Sequence, residues 1–181
     1  MDRDLVEAAR SGEREAYADL IRSRGDRLFA IAHRIVRDVD RAEDALQEAL
    51  VIAWRDLPGL RDPDRFDAWL YRLLARSCVT EVTRTRRNIS NLSVLPTDLP
   101  SPSDDYLGVG DRDQLERGFR RLPPEQRAIL VLRHYAGLEP SEIAEALAIP
   151  AGTARSRLHH AHRAMRAALE ADARATVRSS A

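Results

Sequence analysis

Lysine is absent from this chain. Its 29 basic residues are all arginine and stand against 29 acids, so the formal net charge is zero. A neutral total excludes attraction of the whole protein to nucleic acid; any basic surface must be local. Arginine supplies a planar fork that matches phosphate oxygens and the edge of guanine. Cysteine is nearly absent too. Cys78 is single, which rules out an internal disulfide, and its place in the apolar run LLARSCV makes it a small core residue. Aromatic residues make up 5% of the chain, glycines number 8, and strand-type alternation is scarce, so the expected fold is all-α. No 18-residue apolar run occurs, and no membrane span is expected. The first residues, MDRDLVEAARSGE, lack the apolar core of a secretion signal, which makes the cytoplasm the expected compartment.

What is present is helical periodicity. It starts with Leu5, Ala8 and Ala9, is interrupted near Ser11-Gly12, resumes through Ala16, Leu20 and Ile21, and breaks at Arg24-Gly25-Asp26. Leu28, Ile31, Ala32, Ile35 and Val36 continue it, and Asp38-Val39-Asp40 looks like a turn that caps the next helix. Residues 41–56 form that helix, with Ala45, Leu46, Ala49, Ile52 and Ala53 as its apolar face. PGLRDPD is a loop. From Phe66 to about Arg87 a further helix buries Phe66, Trp69, Leu70, Leu73, Leu74, Cys78 and Val82, with Arg72, Arg76 and Arg84 on its outer face.

Residues 88–111 then change character, with prolines, serines and aspartates and no arginine. Such a segment is a flexible acidic linker, longer than an ordinary connection of about 4–6 residues, and it marks a domain boundary. The expected division is a first helical unit over 1–87, the linker over 88–111, a second unit over 112–170 and a frayed tail over 171–181.

The second unit contains a short amphipathic helix, PSEIAEALAI, a tight turn at Ile149-Pro150 and a long final helix. This is the helix-turn-helix pattern. Ile143, Ala144 and Leu147 are expected to pack on the stripe Ala154, Leu158, Ala161 and Met165. The opposite face carries Arg155, His159 and Arg163, flanked by Ser156 and His160, and no acid occurs between Ala151 and Leu169. A merely solvated helix normally interleaves acids; this face suits a DNA major groove, with the backbone N–H groups of Gly152 and Thr153 near a phosphate. His159 and His162 are three apart, but no cysteine or carboxylate accompanies them, so no metal site is expected. Asp44, Gln47 and Glu48 form a polar stripe beside an apolar face. No histidine, nucleophile or glycine-rich loop stands with them, so a protein-docking or solvated face is expected rather than an enzyme site. Trp69 and Tyr71 among arginines have the composition of a single-strand surface, where bases stack and phosphates pair.

Taken in order, DRAEDALQEALVIAW, FDAWLYRLLARSC, an acidic linker and LPPEQRAILVLRHYAGLEPSEIAEALAIPAGTARSRLHHAHRAM resemble the sigma-70 family of RNA polymerase initiation factors. The likeness is to the short extracytoplasmic-function (ECF) group, which keeps only regions 2 and 4, and it covers nearly the whole chain. The resemblance implies roles. Asp44, Gln47 and Glu48 would dock on the coiled coil of the largest polymerase subunit, with Trp54 ending that helix. Arg65, Trp69, Arg72 and Arg76 would meet the −10 element, where a base is flipped out and the unpaired strand runs along the arginines. Thr153, Arg155, Ser156, His159 and His160 would read the −35 element, with Arg157 on a phosphate or in packing. The acidic linker would thread the polymerase cleft. Implied partners are core RNA polymerase, promoter DNA and an anti-sigma factor; no cofactor is implied. Where relatives often carry Asn and Asp in the run after WLYR, this chain has Arg76 and Thr80, and where they often start the first helix of the reader with a serine cap it has Glu139-Pro140, expected to be a weaker cap. Three other readings compete. A free-standing helix-turn-helix regulator would leave the first unit without a role. An enzyme would need Asp44, Glu48 and a histidine together, and an interaction scaffold would show no DNA dependence.

Overall fold

The computed structural model describes residues 2–91 and 111–179. Among them are nine α-helices, two short 3-10 turns and no strand. The first unit comprises α1 (Asp2–Arg10), α2 (Arg14–Arg22), α3 (Gly25–Val36), α4 (Val39–Asp56) and α5 (Phe66–Asn91). The second comprises α6 (Asp111–Arg120), α7 (Pro124–His134), α8 (Pro140–Leu147) and α9 (Ala151–Ser179). Most of the expected linker, residues 92–110, lies outside the described residues. Helix α5 continues four residues past Arg87, and α9 continues beyond the expected end at 170 to Ser179. No helix among the described residues is long and apolar enough to cross a membrane.

Local chemistry sets the helix ends. Asp38 caps α4, its carboxylate accepting from the Arg41 N–H at 3.0 Å, as the sequence led us to expect. Just before it, Arg37 closes α3 in the left-handed region (φ 67°), donating its N–H to the His33 carbonyl at 2.8 Å. Gly137 (φ 73°) lets the chain turn after α7, and the Leu138 N–H reaches the Leu132 carbonyl at 2.9 Å. Helix α8 starts at a capping box: the Glu142 carboxylate accepts from the Glu139 N–H at 2.9 Å, and Glu139 answers to the backbone of Glu142. Glu139-Pro140, which looked like a weak cap, is therefore a closed one.

Two apolar cores result. The first gathers Leu20, Leu28, Ile31, Ile35, Leu70 and Leu74, all fully buried. Each such side chain contributes about 1.5–3 kcal/mol relative to exposure. Cys78 lies in this core, and burial pushes its thiol up to about 12, so it stays a protonated packing group. The second core gathers Leu122, Ile129, Leu132, Leu138 and Ile143. The two cores are not separate. Ala75 of α5 belongs to the second, and Ala128 and Val131 of α7 belong to the first. Arg127 crosses the seam. It is 8% exposed and donates from Nε to the Ile35 carbonyl of α3 and from a terminal nitrogen to the Leu122 carbonyl, both at 3.0 Å.

Candidate functional sites

Helix α4 has two faces set by its 3.6-residue period. Ala42, Ala45, Ala49 and Ala53 are buried, small enough to let α4 lie close to its neighbours. Asp44, Gln47 and Glu48 point outward and are exposed. Val51, one turn further, is 69% exposed. Sequence reasoning left Val51 on neither face. Its phase gives it away: it lies seven residues after Asp44 and off the alanine stripe. An isolated exposed valine needs no explanation, yet beside three polar groups it gives this face an apolar centre, the composition of a docking patch. Trp54, four residues after Leu50, is half-buried and flanks the patch. Tyr17 of α2 holds it, with ring centroids 5.0 Å apart, while the Tyr17 hydroxyl donates to the Leu50 carbonyl at 2.7 Å. Burial raises the Tyr17 phenol to about 12, so it remains a donor.

Arg65, Trp69, Arg72 and Arg76 fall at i, i+4, i+7 and i+11, one line along α5 and the turn before it. Asp62 shapes that turn by accepting from the Asp64 N–H at 3.0 Å. Trp69 is half-buried against the first core, its ring 5.9 Å from that of Phe66. Arg65 and Arg76 are exposed and Arg72 is half-buried, and all three also meet a partner from the second unit. Arg65 pairs with Glu142 of α8. Arg72 reaches Glu145 at 2.6 Å, and Arg76 donates to the backbone carbonyls of Ala146 (2.9 Å) and Glu145 (2.5 Å). The cause is α8, which presents two carboxylates three residues apart and the negative end of its dipole. Of the three residues read as an outer face, Arg84 alone keeps to α5, paired with Glu81 one turn earlier.

The turn between α8 and α9 uses Ala148 in the left-handed region (φ 51°), with the Ile149 N–H on the Ala144 carbonyl at 3.0 Å. Ile143, Ala144, Ala154 and Ala161 are buried between the two helices, with Leu158 and Met165 packed beside them. This is the packing that the stripe predicted. Arg155, Ser156, Arg157, His159 and His160 are exposed, and Thr153 at the first turn is half-buried. Gly118 of α6 anchors the far half of α9: a side chain there would meet Met165 Sδ at 2.7 Å. This face of α9 is therefore exposed, while its back is held by α6, α7 and α8.

The third histidine turns elsewhere. His162 Nε2 lies 2.8 Å from His134 Nε2 of α7, one ring donating and the other accepting. Burial, then His162, then Arg133 hold the His134 imidazolium below the ordinary histidine range. A histidine depressed in the folded state takes protons more readily when unfolded. Its contribution is therefore whole above the ordinary pKa, about 6.5, and is lost as pH falls through the folded value. Thermal melts of the wild type should drop in midpoint between about pH 7.5 and pH 5.5. His134→Gln should flatten that slope; an equally steep slope in the variant would remove His134 as its source.

Residues 20–88 match the sigma-70 region 2 family and residues 112–165 match the sigma-70 region 4 family. The RNA polymerase sigma-E factor of Streptomyces avermitilis is 37% identical over 173 residues, spanning 92% of this chain and 94% of that one. The ECF sigma factor SigM of Mycobacterium tuberculosis is 30% identical over 86% of this chain and 78% of its own length. SigW of Bacillus subtilis is 24% identical over 92% and 95%. Among solved structures, CnrH in complex with the cytosolic domain of CnrY aligns with TM-score 0.63 at 24% identity, over 94% of this chain and 98% of that one. RpoE of Bartonella quintana in complex with the anti-sigma factor NepR aligns with TM-score 0.69 at 21% identity, over 86% and 98%. Two regions matched in order along one chain, and a relative of this identity spanning both, settle the family: the chain belongs to the ECF group of the sigma-70 factors, through which RNA polymerase initiates transcription at promoters.

Proposed function

We propose that three faces of this chain divide the work of promoter-directed initiation. The α4 patch of Asp44, Gln47, Glu48 and Val51, flanked by Trp54, docks on core RNA polymerase. The α5 line of Arg65, Trp69, Arg72 and Arg76 takes the unpaired strand of the −10 element, arginines on phosphates and Trp69 beside bases. The exposed face of α9, with Thr153, Arg155, Ser156, Arg157, His159 and His160, enters the major groove at the −35 element. Residues 1–87 act as region 2, 112–170 as region 4, 88–111 as the acidic connector and 171–181 as a tail. The work is binding and positioning in the cytoplasm, with no catalysis by the chain itself. An anti-sigma partner fits the same scheme, since the aligned RpoE structure holds a sigma factor with the anti-sigma factor NepR.

The observation that carries this reading is the acid-free, exposed face of α9 on a chain of zero net charge that also bears a separate docking patch. A neutral protein gains little from the phosphate backbone alone, so promoter binding must borrow affinity from polymerase. Band-shift titrations on chromosomal promoter fragments should therefore show retention with protein plus core polymerase and none with the protein alone. Retention by the protein alone would favour a free-standing regulator. In the polymerase-dependent assay, Arg155→Ala should cost about 1–3 kcal/mol and relax preference at one −35 base pair. Unchanged promoter choice would remove Arg155 from the reading set.

A further inference from the structure

The His134–His162 pair stands beside the exposed face of α9, not behind it. His162 follows Arg155 by about 10 Å along the helix, about 20° short of two full turns. It therefore shares a strip with Arg155, His159 and Arg166. Its place is the edge nearest the buried Ala154, Leu158 and Ala161, where α7 packs. His134 is the last residue of α7 and meets His162 there, Nε2 to Nε2 at 2.8 Å. Both residues are exposed. The charged groups around them are mostly cationic. Arg133 adjoins His134 on α7, with Glu139 paired to it at 2.6 Å. His159, Arg163 and Arg166 flank His162 on α9. Asp26 and Arg27 of α3 line a shallow depression beside His134 and Tyr135, one charge of each sign. No acid occurs on α9 before Glu170.

We propose that His134 and His162 form a clasp for one backbone phosphate of the −35 duplex, and that the clasp takes up a proton as the DNA binds. This rests on the assignment of the α9 face to that element. The position fits. Arg155 would reach base edges at the floor of a major groove about 12 Å wide, so a side chain about 10 Å further along α9 stands at the groove wall, where the phosphates lie. The chemistry fits as well. In the uncharged pair one Nε2–H donates to the other Nε2, and each ring carries one proton. One proton from water, added at the bare Nδ1 of the donor ring, makes a single cation. The bridging bond is kept, and both rings then have an Nδ1–H to give to phosphate oxygens. A second proton would break the bridge and set like charges side by side. Without DNA, burial, then His162, then Arg133 hold the His134 imidazolium below the ordinary range. A phosphate supplies the missing counter-charge. Affinity for the promoter therefore rises as pH falls, until the free pair is itself charged. That sign is opposite to the sign for the fold, whose stability falls with pH over the same range.

The test titrates a chromosomal promoter fragment with the full-length protein on core polymerase, at pH 8 and at pH 6. The variant is His134→Gln with His162→Gln, which keeps polar side chains that do not titrate. From pH 8 to pH 6 the wild type should gain about fivefold over the double variant, the worth of one partly exposed charge contact. At pH 6 the slope of log affinity against log salt should be shallower in the double variant by about 0.9, one phosphate contact. At pH 8 the two slopes should agree. A second variant, His162→Arg, carries a fixed charge and should bind at the tighter level at both pH values. Several results overturn the clasp. A pH response that survives in the double variant assigns it to His159 or His160 instead. Equal salt slopes at pH 6 remove the phosphate contact. A wild type that binds more weakly at pH 6 than the double variant reports loosening of the fold, not a clasp. Promoter retention by the wild type without the pH difference removes the clasp alone. No retention at either pH removes the assignment of the α9 face, and the clasp with it.

Discussion

Asp44→Arg combined with Glu48→Arg is expected to weaken binding to core RNA polymerase by at least about 100-fold, with the fold intact. The magnitude follows from the position of the two carboxylates. They lie on an exposed face next to Val51, so a partner that covers Val51 also removes water from them. Truncating one member of such a desolvated pair costs about 2–5 kcal/mol, and reversal adds repulsion. The fold should not respond, because α4 is held from its other side by Ala42, Ala45, Ala49 and Ala53 and capped by Asp38. Circular dichroism and melting midpoint should match wild type while pull-down by core polymerase is lost. Pull-down at wild-type strength would take the docking role away from α4.

Arg127→Ala is expected to destabilise the protein by about 2–4 kcal/mol, since it orphans two buried carbonyls, each in the lower part of the roughly 1–3 kcal/mol range for such groups. It belongs to a different class, acting on the seam rather than on a binding face. Arg127 joins α7 to the Ile35 carbonyl of α3 and to the Leu122 carbonyl of its own unit. For a protein of this size that corresponds to a fall in melting temperature of roughly 5–15 °C. Arg127→Met retains the apolar stem and should recover part of the loss. A midpoint within about a degree of wild type in the alanine variant would show that the seam does not depend on this arginine.

Periodicity carried the reading a long way. The alanine stripe of α4, the Asp38 cap, the break at Gly25 and the packing of Ile143 and Ala144 on Ala154 and Ala161 all follow from residue type at helical spacing. Those features are local, within one helix or one turn. What escaped was nonlocal. Arg72 and Glu145 are 73 positions apart, and Arg76 and Ala146 are 70 apart. Arginines at i, i+4 and i+7 look the same in sequence whether they await DNA or already hold another helix. Arg127 escaped for a related reason. A charge in EQRAILVL suggests the solvent side, and only the position of α3 shows which carbonyl it satisfies. Val51 escaped because the phase that left it off the apolar face was not followed round to the side of Asp44 and Glu48. His162 was weighed as a partner of His159 on its own helix, whereas its partner His134 comes from α7. The Glu139 cap looked weak because its strength lies in the reciprocal bond from Glu142, three residues on.

This chain gives core polymerase a promoter preference that it otherwise lacks. Run-off transcription on chromosomal DNA, with core RNA polymerase in the presence and absence of the protein, tests it most directly. New, discrete start sites that appear only with the protein, and that disappear with Asp44→Arg/Glu48→Arg, are the expected result. The same transcripts with and without the protein would contradict the account.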